Sequence, residues 1–158
     1  MRFSFTIIIV IALGLTFSCS EEFQPTPYTY SKLFTGQNNK TWKIKLVEDA
    51  LNGEVIDRWM NDCLTDDRFI FYANAEHSYE ATTGSKKCFE EPEADRLVEA
   101  WSFNNATAAL VMIIPFIADF AVPYTVREVD EGDMVVEIFY DQENTTSRRV
   151  HLEAIDEE

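Results

Sequence analysis

Basic side chains are scarce in this sequence, which has 13 lysines and arginines against 28 aspartates and glutamates and a formal net charge of −15. Nucleic-acid phosphates require lysine and arginine, so this balance excludes nucleic acid as the expected partner. It also argues against docking on anionic lipid by electrostatics alone. The simplest interpretation of the excess negative charge is that it keeps the protein soluble.

Catalytic and metal-binding motifs are also missing. The sequence contains no Gly-x-Ser-x-Gly, no His-Glu-x-x-His and no P-loop. The two histidines, His77 and His151, fall on different predicted strands and are interpreted as scattered surface residues rather than a pair that meets across a barrel. Asp62, Asp66 and Asp67 could hold calcium, but their spacing does not match an EF-hand loop and an exposed acidic turn is favoured. We therefore predict a non-enzyme without cofactor or metal.

Long hydrophobic runs occur in two places, and the first is the N-terminus. Arg2 is followed by an apolar stretch at residues 3–15, which is shorter than the about 20 residues that span a bilayer. The sequence Thr-Phe-Ser-Cys at residues 16–19 then resembles the lipobox of bacterial lipoproteins, although Thr16 stands where leucine is usual. This resemblance implies a signal peptide at residues 1–18 and lipidation of Cys19, which would anchor the protein to a membrane. An ordinary secretory signal is the alternative.

The residues after Cys19 have the composition of a linker. Ser-Glu-Glu at residues 20–22 resembles the acidic tether that sends some Bacteroidetes lipoproteins to the outer face of the outer membrane, and a merely solvated tether is the alternative. Pro25 and Pro27 stiffen the next part of the chain. We assign residues 19–32 to the acylated cysteine and a flexible tether. The expected location is the cell envelope, as an outer-membrane lipoprotein, and surface exposure stays open.

Only three cysteines are present. If Cys19 is acylated, Cys63 and Cys88 remain, and two cysteines in an exported domain form a disulfide by default. A metal pair or a catalytic thiol is the alternative, although neither cysteine lies in a Cys-x-x-Cys motif or a Cys/His cluster.

Short runs of β-branched and aromatic residues recur through residues 33–158 and are divided by Asn, Asp and Gly. In the first run, Trp42, Ile44 and Leu46 alternate with lysines and should share one face. One short helix is predicted at residues 90–99, with Pro92 at its first position. Because a meander must protect its edges, we predict an all-β domain: one small antiparallel meander closed as a β-barrel of about eight or nine strands, with at most one short helix. The predicted strands are residues 41–47, 54–59, 68–72, 77–83, 100–103, 108–114, 123–129, 134–140 and 147–155.

The order of these motifs is similar to that of the lipocalin-like domains of Bacteroidetes lipoproteins. Trp42 lies in the first strand, Cys63 leads into the Asp-Asp-Arg-Phe-Ile-Phe strand, and Cys88 precedes the Trp101 strand. The likeness covers roughly residues 33–156 and implies a small exported β-barrel without indicating a ligand. Gly36 lies six residues before Trp42 rather than two, which departs from the Gly-x-Trp of classical lipocalins. By the same analogy, Arg148 or Arg149 of the last strand would cover the tryptophan.

The second long hydrophobic run covers residues 108–122. Its second half is bounded by Pro115 and Pro123, which remove strand hydrogen-bond donors, so residues 115–122 are predicted to connect two strands. We expect this connection to form a lid, with Phe116, Ile117 and Phe120 packed over one barrel end and the Asp119 side chain pointing outward. Contact with a lipophilic ligand or a partner is the alternative.

The sequence is consistent with two functions. The first is a lipid-anchored lipocalin-like module that binds a small apolar ligand in its barrel. The second is a structural or protein-interaction surface lipoprotein whose barrel is filled by its own side chains, which the 12 Phe, six Tyr and three Trp favour. The candidate ligand- or partner-contact residues are Trp42, Phe69, Phe71, Tyr79, Trp101, Phe116 and Phe120.

Overall fold

The computed structural model describes residues 29–60, 62–87, 96–140 and 146–155. The predicted signal peptide, Cys19, most of the tether and Cys88 lie outside these residues. The described part is all-β, as predicted, with nine antiparallel strands that curl into a nearly closed barrel. The strands are β1 (Asn39–Asp49), β2 (Arg68–Tyr72), β3 (Ser78–Thr82), β4 (Arg96–Ala100), β5 (Ser102–Asn104), β6 (Ala109–Met112), β7 (Val122–Val129), β8 (Asp133–Phe139) and β9 (Ser147–Ile155).

Most strands pair with their neighbours in sequence, and the order across the sheet is β4-β3-β2-β1-β9-β8-β7-β6-β5. The pairing of β1 with β9 brings the two ends of the domain together, so that the sheet can curl round as a cylinder. This pairing leaves neither β1 nor β9 as an edge of the sheet.

The two terminal strands of this order, β4 and β5, are separated in sequence by Trp101 alone. They act as one strand bent at this residue, whose first part pairs with β3 and whose second part pairs with β6. The Trp101 amide donates to the His77 carbonyl oxygen at 2.9 Å, and the buried Trp101 ring stacks against the His77 ring with centroids 4.8 Å apart. The seam of the barrel is the gap between the two ends of the sheet, β4 and β5. The continuous chain at Trp101 joins the two ends across this seam.

A β-bulge changes the inward face of β1. The register against β9 shifts between Ile44 and Leu46, so that Val47 is fully buried while Leu46 is only half-buried. The predicted shared face of Trp42, Ile44 and Leu46 is therefore wrong at its last member. The reason is physical, since the extra residue of a bulge reverses the in-out alternation of the residues after it.

The structure has more helix than the one short helix predicted. An α-helix, α1 (Thr29–Thr35), begins before residue 33, where the sequence placed the start of the barrel domain, and a second, α2 (Asp62–Thr65), precedes β2. The expected strand at residues 54–59 is wrong. Val55 makes a single bridge to Glu48, and Asp57–Trp59 then forms a 3₁₀ turn as the chain crosses one end of the barrel.

The helix predicted at residues 90–99 is wrong over its described part. Residues 90–95 lie outside the described part, and Arg96–Ala100 is strand β4 rather than helix. Its backbone pairs with β3 through the register Thr82↔Arg96 to Ser78↔Ala100. This non-local pairing overrides the local helix signal of Pro92 and the acidic residues after it.

The barrel interior is filled by side chains. Phe34 of α1 closes one end, where its ring lies 5.0 Å from that of Phe103 and 5.9 Å from that of Trp101, centroid to centroid. The largest side chains without solvent contact are those of Trp42, Tyr79, Tyr124, Phe34, Phe69, Phe71, Ile44, Leu110, Met112, Ile114, Met134 and Leu152.

Candidate functional site

Five of the seven predicted contact residues lie together in the hydrophobic core: Trp42, Phe69, Phe71, Tyr79 and Trp101. The Phe71 ring packs edge-on against the rings of Tyr79 and Trp101, at 5.0 and 5.8 Å between centroids. These rings contact one another and therefore fill the space in which a central ligand would lie.

The polar ends of the buried Trp42 and Tyr79 side chains are also used inside the fold. The indole N–H of Trp42 donates to the Phe34 carbonyl oxygen at 2.9 Å, and the Tyr79 hydroxyl donates to the Ile113 carbonyl oxygen at 2.6 Å. Burial raises the pKa of Tyr79 well above its ordinary value. This hydroxyl therefore stays protonated and tied to the backbone.

The analogy that placed an arginine of the last strand over Trp42 is wrong. The Lys40 ammonium lies over the Trp42 ring at 5.1 Å from its centroid. Arg148 instead pairs with Asp49 at 2.9 Å, and Arg149 lies 3.5 Å from a Glu137 oxygen.

Gly36 has a separate role that explains its unusual distance from Trp42. Its φ of +61° is the left-handed conformation that ends helices, and its amide donates to the Lys32 carbonyl oxygen at 2.8 Å. The glycine therefore terminates α1, and the tryptophan is reached only after the chain has entered β1.

An apolar cavity of about 170 Å³ lies at the barrel end opposite α1. One wall is formed by β2, β3 and β4, and the other by residues 113–119, so the cavity sits at the seam of the barrel. Its volume is below the about 300–1,000 Å³ typical of pockets for drug-sized ligands. The lining residues are Leu64, Asp67, Phe69, Ala81, Thr82, Thr83, Leu97, Ile113, Pro115, Phe116 and Asp119. Of the predicted contact residues, only Phe69 and Phe116 are among them.

The predicted lid is present in part. Phe116 and Ile117 are half-buried and pack against the core, and the Asp119 side chain is exposed, as expected. Phe120 is not part of the lid, because 68% of it is exposed. The chain turns sharply after Ile114, whose carbonyl oxygen accepts hydrogen bonds from the amides three and four residues later. This turn carries Phe120 past the barrel end.

A residue that the sequence did not assign to the lid holds it in place. The Trp59 ring lies 5.8 Å from that of Phe116 and 6.1 Å from that of Tyr140, centroid to centroid. Trp59 was missed because residues 54–59 were interpreted as a strand. An isolated tryptophan after charged residues gave no signal for a contact across the barrel end.

The acidic residues near Cys63 bind a neighbouring loop. Lys86 pairs with Asp62 at 2.5 Å, the Lys86 amide donates to Asp66 at 3.1 Å, and the Gly84 amide donates to Asp67 at 3.2 Å. A Cβ at Gly84 would overlap the Asp66 carboxyl group, so a larger residue there would have to displace this side chain. No group of three potential metal-ligating residues occurs within the described ranges.

The two histidines lie in different places. His77 stacks on Trp101 at the seam, and its φ of +51° is unusual for a residue other than glycine. His151 lies on the outer face of β9, where its Nε2 atom is 3.2 Å from a Glu48 carboxylate oxygen. The sequence expectation of separate histidines agrees with these positions.

A wider depression of about 760 Å³ lies on the outer face of β1, β9, β8 and β7. Beside it, Glu137 is only 4% exposed; its carboxylate accepts from Ser147 at 2.5 Å and pairs with Arg127 at 2.6 Å. Burial alone would raise the pKa of Glu137, but the Ser147 hydroxyl and the Arg127 guanidinium hold it below its ordinary value. Because these charged groups pair with one another, we interpret the depression as a structural feature rather than as a ligand site.

Within the described ranges, no helix combines the length and the apolar character that crossing a membrane would require. No protein-family model matches the chain, and no curated protein is significantly similar to it.

Proposed function

We propose that the protein is an exported, lipid-anchored envelope protein whose filled, lipocalin-like barrel serves as a protein-interaction module. The observation that supports this proposal is the occupied interior. Trp42, Phe71, Tyr79 and Tyr124 have no solvent exposure and fill the centre of the barrel. Small barrels hold either their own side chains or one ligand, and this barrel holds its own side chains.

The proposed export and anchoring rest on the N-terminal sequence. The apolar stretch at residues 3–15 is followed closely by Ser18 and Cys19. A diacylated cysteine would bind a membrane stably because each buried CH₂ contributes about 0.8 kcal/mol. The excess of 15 negative charges would not assist binding to anionic lipid, so the acyl chains would carry the attachment.

Binding of a small apolar ligand is the second candidate function, and the cavity at the lid end is the observation that favours it. The cavity is lined largely by apolar residues, among them Phe69, Leu97, Ile113 and Phe116. Its volume of about 170 Å³ limits such a ligand to a small molecule, because a lipid would not fit without displacing the lid.

We infer no catalytic role. Proton transfer near neutral pH needs a group whose pKa lies close to the working pH. Tyr79, whose hydroxyl donates a hydrogen bond to the carbonyl oxygen of the cavity-lining Ile113, has a pKa raised well above its ordinary value by burial and stays protonated.

Two measurements test the proposal. In membrane fractionation, Cys19→Ala should release the protein into the soluble fraction, while the control Ser20→Ala should leave it in the membrane. In a fluorescence titration with 1-anilinonaphthalene-8-sulfonate, the folded protein should show no saturable binding, because its interior is occupied. Membrane retention of Cys19→Ala would contradict the anchor, and saturable stoichiometric binding of the dye would contradict the filled barrel.

A further inference from the structure

The strand β4 has an open side. In the described part of the chain it pairs only with β3, and β5 leaves it at Trp101 to pair with β6. An unpaired strand edge presents backbone N–H and C=O groups to any chain that can lie beside it.

The register shows which backbone groups face this open side. The Trp101 amide donates to the His77 carbonyl oxygen, and the pairing continues through Glu99↔Tyr79 and Leu97↔Ala81. In an antiparallel ladder, bonded residues alternate with residues whose N–H and C=O groups point away from the partner strand. The backbone groups of Val98 therefore point to the open side, while those of Glu99 bond to β3.

The apolar cavity lies next to this open edge. Leu97 of β4 lines it from one side, and Ile113 and Phe116 line it from the other. A volume of about 170 Å³ is small for a separate ligand but suits one large apolar side chain that enters from an adjacent strand. Val98 and Phe120 directly follow the cavity-lining residues Leu97 and Asp119 in sequence and are 55% and 68% exposed.

The basic residue of β4, Arg96, is already paired with Glu80, whereas two acidic residues near the cavity have no such partner. Glu99 and Asp119 are exposed, and neither makes an ion pair within the described ranges. Asp119 also lines the cavity itself. Since the whole chain carries an excess of 15 negative charges, the surroundings favour a cationic partner.

We propose that an extended, basic segment of a partner protein adds as a strand to the open edge of β4. One apolar side chain of that segment enters the cavity beneath Phe116, and flanking lysine or arginine side chains lie against Glu99 and Asp119. This is β-augmentation, in which backbone hydrogen bonds give affinity and a side-chain pocket gives specificity. The inference rests on the proposed function as an interaction module and names the site and the chemistry of the partner.

The test begins with a phage-displayed library of random peptides that is selected on the full mature chain. We expect enriched peptides to contain an apolar anchor within β-branched residues, flanked by lysine or arginine. Val98→Pro should weaken their binding at least tenfold while the melting temperature stays close to that of the wild type. Proline removes an N–H that no described strand uses, and it is tolerated at a free edge. Val98→Thr, which keeps the N–H, is the matched control and should bind as the wild type does.

A second measurement does not depend on how a variant folds. One enriched peptide is synthesised with N-methyl groups on alternate residues, in both possible phases. In an added strand, the N–H groups of every second residue point towards β4 and form the hydrogen bonds. The peptide that is methylated on these residues should lose binding, and the peptide that is methylated on the other residues should keep it. Equal binding of the two N-methylated phases, absence of enriched peptides, or unchanged binding to Val98→Pro would overturn this inference. A negative result in these peptide-binding experiments would not contradict the filled barrel or its anchor. A retained small ligand, by contrast, would overturn the proposed function itself.

Discussion

The Trp59 ring packs edge-on against the Phe116 ring, with 5.8 Å between the centroids and 76° between the planes. The two residues lie far apart in sequence, in the turn after β1 and in the connection between β6 and β7. Their contact closes the barrel end that holds the cavity. The lid is therefore held by aromatic packing, which a single substitution can remove.

Replacing the lid phenylalanine should destabilise the protein. Phe116→Ala is expected to lower the free energy of unfolding by about 2–3 kcal/mol, somewhat less than the about 3–5 kcal/mol of a fully buried phenylalanine, because Phe116 is half-buried. Phe120→Ala is the matched control and should change it by less than about 0.5 kcal/mol, since Phe120 is 68% exposed. Urea denaturation of both variants measures the difference. Equal losses would show that the lid is not held by Phe116.

The pairing of Cys63 with Cys88 stays a prediction, and the contacts around Asp62 support it. The loop at residues 84–86 is held against residues 62–67 by hydrogen bonds from Gly84 and Lys86, which brings the chain close to Cys63 shortly before Cys88. Without reductant, alkylation of the mature chain should label neither cysteine. Reduction should lower the free energy of unfolding by about 3 kcal/mol on the chain-entropy model. Labelling of both thiols in the unreduced protein would rule out the pairing.

Acid should weaken the fold through Glu137. Its pKa lies below the ordinary value of 4.5, so the stability that the ionised carboxylate contributes is present above about pH 4.5 and is lost as the pH falls through the folded-state pKa. Glu137→Gln should lower the free energy of unfolding at pH 7 by about 1–3 kcal/mol. It should also make the stability depend less steeply on pH in the acid range. The control Glu128→Gln, at an exposed position, should change the free energy of unfolding at pH 7 by less than about 0.5 kcal/mol. If the free energy of unfolding fell with decreasing pH as steeply for Glu137→Gln as for the wild type, this role of Glu137 would be refuted.

Local alternation predicted most of the barrel. The strands Arg68–Tyr72 and Ser147–Ile155 were predicted with the same boundaries as observed, because apolar and polar residues alternate along them or turn residues bound them. The bulge after Ile44 could not be predicted in the same way. It depends on how β1 pairs with β9, which lies at the other end of the chain.

The site was predicted less completely than the fold. Phe69 and Phe116 were named as contact residues and do line the cavity, but Leu64, Ala81 and Leu97 were not. These three come from separate elements and meet only because the barrel curls. Leu97 in particular was assigned to a helix, and its place at an open strand edge results from pairing with β3 rather than from its own neighbours.

The central claim is that the barrel interior is occupied by the protein's own aromatic side chains. Native mass spectrometry of the full mature chain, extracted from its own membrane with a mild detergent, tests it most directly. We expect a mass equal to that of the acylated polypeptide, with no additional small molecule and no loss of mass on gentle activation. A stoichiometric adduct of a few hundred daltons that dissociates on activation would contradict the claim.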